Sequence, residues 1–383
     1  MVVLITGSES TKAILITRSL GSKGVEVHNA GTNYDSPVFS SKYSKSNFVY
    51  TDPSLSESDF LLDLLNILKS KKYELLIPTH SKDTYIISKN FEQISNYVSL
   101  PLVDYEKILF ANNKKKVTRL ASKLGIPVPE TIYPTNLRDL EKVEIKYPVV
   151  IKILDGSGNK GLEYAKDKAE LIKKYRNLVE KYNLDNTQYP IIQEKIVGYG
   201  AGTSFLFFNG NSKFFFSHKR LREYPITGGP STLRIGYRNK LMEKSALRIL
   251  KEMKWNGVAM CEFLIEKNSN IPYLIEINPR FWGSIYQPIV SGVDFPYLLY
   301  SLFTGKKIKP IKRIIGLKTR YILLDYLNFP AYFSLSNNKI HDSINFFRNR
   351  DYLCDIEDSN DFRPTFNFYI DKLKTFFKAN TYE

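Results

Sequence analysis

Three oxygen-bearing side chains lie close together in two predicted strands, at residues 258–265 and 273–277. Glu276 and Asn278 are two positions apart, so both face the same side of one extended segment. Glu262 lies in the preceding strand, and each carboxylate is surrounded by apolar sequence, where an unpaired charge is costly. Two carboxylates and an amide oxygen form a hard-oxygen set suited to Mg²⁺ that holds nucleotide phosphates. The sequence therefore predicts a metal site, with carboxylates simply paired to Lys or Arg as the alternative.

Arg280 follows this set directly. Pro279 ends the strand, so Arg280 can turn into the same site. A guanidinium group at this position is suited to an oxyanion, which it binds through paired hydrogen bonds. This arrangement makes simple ion pairing a weaker explanation of the two carboxylates.

A glycine-rich loop, residues 156–161, follows a predicted strand that ends near Lys152. Glycines allow a backbone to approach phosphate oxygens closely, and a lysine can meet them as a point charge. The loop lacks the Gly-Lys-Ser/Thr of a Walker A sequence, and an ordinary hairpin turn is the alternative. The candidate phosphate-binding residues of this loop are Gly156, Ser157, Gly158 and Gly161.

Two further segments carry polar groups. A strand at 191–194 leads to a glycine break and is interpreted as a hinge whose backbone can bind a purine edge; its candidates are Gln193, Glu194, Lys195 and Ile196. Residues 217–234 combine cationic side chains with a Thr-Gly-Gly-Pro-Ser-Thr loop. Arg222 and Arg234 are the candidates there for contact with a carboxylate or acyl phosphate, and a solvated basic face is the alternative. His218 is not assigned as a base.

These side chains require an α/β framework to position them. A strand at 2–6, a helix at 11–20 and a strand at 25–28 form a βαβ pattern, which predicts a parallel sheet covered by helices. A further helix at 60–69 and strand at 75–77 extend this small doubly wound unit. Thr79 and His80 follow that last strand and are expected to line the substrate cleft. A dinucleotide site is rejected because only Gly7 stands at the first turn.

Composition narrows the functional class. Of 383 residues, 43% are hydrophobic and 25% charged, as in folded proteins. Cys261 and Cys354 have no zinc spacing and cannot form a disulfide framework. The sequence shows no signal peptide and no apolar run of about 20 residues, so a cytoplasmic protein without a membrane span is expected. The net charge of +16 is interpreted as solvated lysines plus an anionic small substrate, with no nucleic-acid partner.

Taken in this order, the elements resemble the ATP-grasp superfamily over roughly residues 2–305. The resemblance implies an α/β and α+β fold with four parts. These are an N-terminal Rossmann-like domain at 1–111, an ATP-grasp subdomain with the glycine loop at 112–190, a second subdomain with the metal ligands at 191–305, and a C-terminal appendage at 306–383. ATP would lie between the two subdomains.

The resemblance also implies roles for individual residues. Lys114 and Lys152 match the cations that reach ATP phosphates, Glu194 matches the residue at the adenine amino group, and Lys195 and Ile196 match the hinge backbone. The magnesium ligands correspond to Glu262, Glu276 and Asn278, with Mn²⁺ as a possible substitute ion. Arg280 matches the arginine at the reacting phosphoryl group. One departure is Gly198-Tyr199-Gly200, which stands where a second acidic residue often lies near the ribose.

The activity implied is ATP-dependent ligation of a carboxylate to an amine through an acyl phosphate. Residues 218–234 and 281–284 resemble carboxylate–amine ligases in particular. Small-molecule acid and amine substrates and a homodimer are expected. Two alternatives stay open: a bicarbonate-activating enzyme of the carboxylase or carbamoyl-phosphate type, and a non-catalytic ATP-binding module. The presence of Asn278 and Arg280 favours chemistry over binding alone.

Overall fold

The computed structural model describes residues 2–154, 161–226, 228–335, 338–348 and 351–380. They form three sheets with helices packed on them. No helix in these ranges is long and apolar enough to cross a membrane.

The first sheet is parallel, with strand order β3-β2-β1-β4. Its central strand is Val-Val-Leu-Ile-Thr and is buried on both faces, as helices on either side of a parallel sheet require. The predicted βαβ unit is therefore confirmed. The elements are β1 (Val2–Thr6), α1 (Thr11–Gly21), β2 (Glu26–Gly31), β3 (Ser44–Val49), α2 (Glu57–Ser70), β4 (Leu75–Pro78), α3 (Ser81–Lys89), α4 (Phe91–Ser95) and α5 (Tyr105–Asn112).

The second sheet is antiparallel, with order β5-β8-β6-β7. One long helix covers it, burying Leu171, Tyr175 and Leu178 against the strand residues Val149 and Ile151. The sheet includes residues 191–194, which the sequence-based division placed in the following subdomain. Its elements are α6 (Lys114–Lys123), β5 (Thr131–Ile132), β6 (Val149–Lys152), β7 (Leu162–Ala165), α7 (Lys168–Lys181) and β8 (Ile191–Glu194).

The third sheet has seven strands in the order β13-β12-β9-β10-β11-β14-β15. The region after residue 306 contributes its last two strands, so the C-terminal segment extends the sheet that carries the metal-ligand candidates. The elements are β9 (Gly198–Phe208), β10 (Asn211–Glu223), β11 (Ser231–Gly236), α8 (Lys240–Glu252), β12 (Gly257–Glu266), β13 (Pro272–Asn278), α9 (Tyr286–Val290), α10 (Phe295–Phe303), β14 (Lys318–Arg320), α11 (Ile322–Leu327), α12 (Phe329–Leu335), α13 (Lys339–Arg348), β15 (Leu353–Cys354) and α14 (Phe362–Asn380).

One hydrophobic core joins the first sheet to the third. Ile14 on α1 belongs to the same buried cluster as Met260 on β12, Trp282 after β13, and Phe368 on α14. The N-terminal unit is therefore packed against the seven-stranded sheet. This core fixes the position of its strand ends relative to Arg280.

Candidate active site

The metal-ligand candidates meet at the edge of the seven-stranded sheet. Glu262 on β12 lies directly opposite Glu276 on β13, and Asn278 lies opposite Met260. The amide Nδ2 of Asn278 donates to Glu262 Oε1 at 3.0 Å and to Glu276 Oε1 at 3.4 Å. On β12, Cys261 points into the core while Glu262 points away from it, because side chains alternate along a strand. The structure thus brings all three side chains together.

The electrostatics of this group favour a cation. Burial and the neighbouring charge of Glu276 raise the pKa of Glu262, although the guanidinium group of Arg220 opposes the rise. Arg220 pairs with Glu262 and supplies one positive charge, but two adjacent carboxylates in a partly buried site still repel each other unless further positive charge is supplied. A half-turn of the Asn278 amide would present its oxygen beside the two carboxylates, giving the hard-oxygen donor set of a Mg²⁺ site. The residues therefore fit the ion. Among the described residues, no group of three His, Cys, Asp or Glu side chains is arranged to hold a metal.

Two lysines lie near these carboxylates. Lys152 ends β6 and is almost completely buried. Burial lowers its pKa to about 8, with the charge of Lys114 acting in the same direction and Glu276 opposing it. Lys114 is the first residue of α6, and its Nζ lies 3.5 Å from the carbonyl oxygen of Leu154. The two predicted phosphate-binding cations are thus close to each other and to the predicted metal site.

The hinge candidates are held by the second sheet. Glu194 Oε1 accepts a hydrogen bond from the backbone N–H of Glu130 at 3.0 Å, and Gln193 Nε2 donates to Thr131 Oγ1 at 2.9 Å. The backbone N–H of Lys195 donates to the carbonyl of Pro148 at 3.2 Å. Ile196 follows at the crossing from the second sheet to the third. These contacts place the segment at the junction of the two sheets.

The predicted glycine loop is described only at its end. Gly161 has φ of 67°, and its carbonyl accepts from the backbone N–H of Ile153 at 3.0 Å. The candidates Gly156, Ser157 and Gly158 lie outside the described residues.

Arg280 reaches from the third sheet to the N-terminal unit. Its Nε donates to Ser81 Oγ at 2.8 Å, and its Nη1 donates to the carbonyl of Phe281 at 3.0 Å. Burial lowers the pKa of Arg280, while the charges of Glu276 and Glu262 oppose the shift. The guanidinium group therefore lies between the metal-ligand candidates and the start of α3.

The structure does not group Arg222 and Arg234 with the metal ligands. Arg222 Nη2 pairs with Asp325 Oδ2 at 2.7 Å, and Arg234 Nη2 pairs with Asp355 Oδ2. The Arg234 side chain is 1% exposed, and both aspartates come from the C-terminal segment. These contacts favour a structural role, in which the two arginines fasten that segment to β10 and β11. A basic solvated face, the alternative considered from sequence, does not describe such buried groups.

Arg220 is the residue that the sequence reasoning did not single out. Its Nη2 donates to Glu262 Oε2, across the intervening strand β9. Glycines on β9 make this possible: a Cβ at Gly200 would lie 2.7 Å from Arg220 Cδ, and one at Gly202 would lie 2.8 Å from the His218 ring. The alternating glycines at 198, 200 and 202 were the signal that could have revealed it. Near the position where the resemblance led us to expect an acidic residue, Gly200 and Gly202 leave room for the side chains of Arg220 and His218 to lie across β9.

His218 shares this surface but is poorly suited to proton transfer. It is buried, and burial together with the charges of Arg220 and Arg234 lowers its pKa well below the usual value. The ring is therefore neutral near pH 7.

Comparison with known proteins identifies the fold. Residues 111–284 match the ATP-grasp domain family. The chain carries an ATP-grasp domain. The matched segment begins at the end of α5 and ends after Arg280, so it contains the second sheet, most of the third, and every candidate residue discussed above from Lys114 onward.

Related proteins agree with this assignment at low sequence identity. The carbamoyl phosphate synthase large chain of Saccharolobus solfataricus is 25% identical over 261 residues, covering 65% of this chain but 23% of that protein. This chain therefore spans about a quarter of that relative.

Solved structures share the ATP-grasp architecture. One is the biotin carboxylase domain dimer of Hydrogenobacter thermophilus 2-oxoglutarate carboxylase, in complex with MgADP, ADP and bicarbonate. It has a TM-score of 0.68 and 13% identity, with 82% of this chain and 73% of that chain covered. Another is the L-amino acid ligase of Bacillus licheniformis, with a TM-score of 0.61 and 15% identity, covering 79% and 74% respectively. At these identities the two structures show a shared fold.

Proposed function

We propose that this protein is an ATP- and Mg²⁺-dependent ligase that activates a carboxylate as an acyl phosphate and transfers the acyl group to an amine. The observation that carries the proposal is the meeting of Glu262, Glu276 and Asn278 with cations on both sides. Lys152 approaches from the second sheet and Arg280 from the third. A buried lysine and a partly buried arginine beside a divalent-metal donor set are suited to a nucleoside triphosphate and to the charge that moves during phosphoryl transfer.

The reaction needs two balanced steps. A carboxylate oxygen of the acid attacks the γ-phosphorus, the bond to the β-phosphate oxygen breaks, and ADP leaves with that electron pair. The amine nitrogen then attacks the acyl carbon, inorganic phosphate departs, and the nitrogen loses a proton. Mg²⁺ when bound offsets the charge of the β- and γ-phosphates.

The residues of the chain position and stabilise the reactants. Lys114 and Lys152 bind phosphate oxygens, and the hinge at 193–196 binds the adenine edge. Arg280 stabilises the acyl phosphate. Most of the rate enhancement comes from positioning and fixed charge, because the protein itself forms no covalent bond with the substrate.

The test is release of ADP and phosphate from Mg-ATP in the presence of pools of amino acids, amines and small carboxylic acids. Stimulation that needs one acid and one amine together supports the ligase. Stimulation by bicarbonate alone would instead establish the bicarbonate-activating alternative. Protection from unfolding by Mg-ATP without release under any pool would favour the non-catalytic module.

Glu276→Gln provides the matched variant. We expect kcat to fall by at least about a hundredfold, as when one preorganised electrostatic group is removed, with the fold retained. Glu252→Gln, at an exposed position on α8, is the control and should keep full activity. Unchanged turnover in Glu276→Gln would contradict the metal assignment.

A further inference from the structure

The first βα turn of the N-terminal unit lies against the end of β4. Gly7 has φ of 77°, and a Cβ there would lie 2.5 Å from Thr79 Oγ1 and 3.1 Å from the His80 ring. Ser10 Oγ and Thr79 Oγ1 are 2.9 Å apart. This close approach allows Lys12 Nζ to donate to the backbone carbonyl of Thr79. The lysine is thereby held at the C-terminal edge of the parallel sheet, where open α/β sheets bind their ligands.

Arg280 of the ATP-grasp domain faces this edge. Its Nε donates a hydrogen bond to Ser81 Oγ, at the first residue of α3. Burial and then the charge of Arg280 lower the pKa of Lys12 well below its usual value. Burial, followed by the charge of Lys12, lowers the pKa of His80 to about 4. A guanidinium group, a lysine whose charged form is disfavoured by the neighbouring positive charge, and a neutral imidazole therefore meet at this edge of the sheet, which, among the described residues, lacks an anion paired with either cation.

These cations are held together without an ion pair. Over the ranges that the structure describes, neither Lys12 nor Arg280 has a carboxylate within 4.0 Å. Asp83 is the nearby acid, but its Oδ2 accepts from Tyr50 OH at 2.8 Å, and burial raises its pKa to about 6. Tyr50 OH in turn accepts from the backbone N–H of Gly7 at 2.9 Å. Asp83 thus stabilises the turn, and its charge only partly offsets the effect of burial and of Arg280 on the pKa of Lys12.

We propose that Lys12 and Arg280 together bind the carboxylate of the acid that is phosphorylated, with His80 and Ser81 lining the same pocket. This rests on the proposed ligase function and assigns the choice of acid to the N-terminal unit. A carboxylate between two cations gains charge-assisted hydrogen bonds from both. Because Arg280 also borders the metal-ligand candidates, a carboxylate bound there lies next to the site of the transferred phosphate.

The kinetic test uses Lys12→Gln with the acid identified from the pools. Loss of one charge-assisted hydrogen bond costs about 1.5–3 kcal/mol, so the KM for the acid should rise roughly ten- to a hundredfold. The KM for ATP should stay within about twofold. Lys12→Arg should recover part of the loss, and Lys45→Gln, an exposed position in the same unit, should behave as wild type. An unchanged KM for the acid, or an equal rise for ATP, would overturn the assignment.

A second measurement needs no turnover. Reductive methylation at pH 8, followed by mass spectrometry of each lysine, reports access to Lys12. We expect 100 mM acetate to slow methylation of Lys12 severalfold relative to chloride at equal ionic strength. Protection by inorganic phosphate but not by acetate would refute carboxylate binding and assign the cations to the phosphoryl group.

The two proposals fail in different ways. If Mg-ATP does not raise the thermal unfolding temperature of the protein, the ATP-dependent function itself fails. If Mg-ATP raises that temperature and acetate leaves Lys12 unprotected, only the carboxylate site is lost. Thermal unfolding of Lys12→Gln and Lys12→Arg checks that both variants are folded.

Discussion

Asp325→Asn is predicted to destabilise the protein strongly, because one buried carboxylate serves two arginines. Asp325 Oδ2 lies 2.5 Å from Arg320 Nε and 2.7 Å from Arg222 Nη2, and its Oδ1 accepts from Thr232 Oγ1 at 2.7 Å. The side chains of Asp325 and Arg320 are both fully buried. An amide of the same shape keeps the packing but removes the negative charge, which leaves two guanidinium groups uncompensated away from water.

The expected loss follows from this burial. Removing one partner of a buried ion pair costs about 3–5 kcal/mol, which is a factor of roughly a hundred to several thousand in the unfolding equilibrium. Asp104→Asn is the matched control, because Asp104 pairs with Lys107 at 2.8 Å while 76% exposed. A surface pair of this kind contributes about 0–1 kcal/mol.

Urea unfolding followed by tryptophan fluorescence measures the difference. With a slope of about 3 kcal/mol per molar urea or more, the midpoint of Asp325→Asn should fall by roughly 1 M, and that of the control should hardly move. Trp282 reports on the affected sheet because it is buried in the core shared with α14. A loss in Asp325→Asn no larger than in Asp104→Asn would show that water screens these charges, and the structural interpretation of Arg222 would be wrong.

Two further predictions concern the nucleotide site and the glycine strand. Lys152 is cationic below its pKa of about 8 and neutral above it, so ATP affinity should weaken as pH rises from 7 to 9. Calorimetric titration checks this, and Lys152→Arg, which stays charged, should remove the pH dependence. Gly202→Ala should destabilise by about 1–3 kcal/mol, because its Cβ would crowd the His218 ring at 2.8 Å. In thermal unfolding, Gly283→Ala, which has open space around its Cβ, is the control; equal stability of the two variants would contradict the predicted crowding.

The sequence was sufficient for features that depend on short-range pattern. The βαβ unit follows from buried strand composition and glycine breaks, whereas the ATP-grasp fold was expected from the resemblance of the motifs to that family. Glu276 and Asn278 point to the same side of their strand because side chains alternate with a period of two residues. In the structure β13 extends through Asn278, so both residues lie within the strand.

Long-range pairing was not accessible in the same way. The carboxylates that bind Arg222 and Arg234 lie about a hundred residues further along the chain, in a segment that adds β14 and β15 to the sheet. Nothing in the local pattern around either arginine distinguishes a substrate contact from such an ion pair. The contact of Arg220 with Glu262 depends likewise on which strand lies between them, and this is a property of sheet order rather than of sequence spacing.

The core shared by α1, β12 and α14 bears on how this protein can acquire a new substrate. Ile14, Trp282 and Phe368 lie in one buried cluster. Replacing the N-terminal unit by that of a relative would therefore pack a helix with different side chains against a core to which it is not complementary. Recombination near residue 111 would therefore destabilise the fold, whatever its effect on substrate specificity. On the proposed carboxylate site, point substitutions around the first turn and the end of β4 would change the acid that binds and leave this shared core intact.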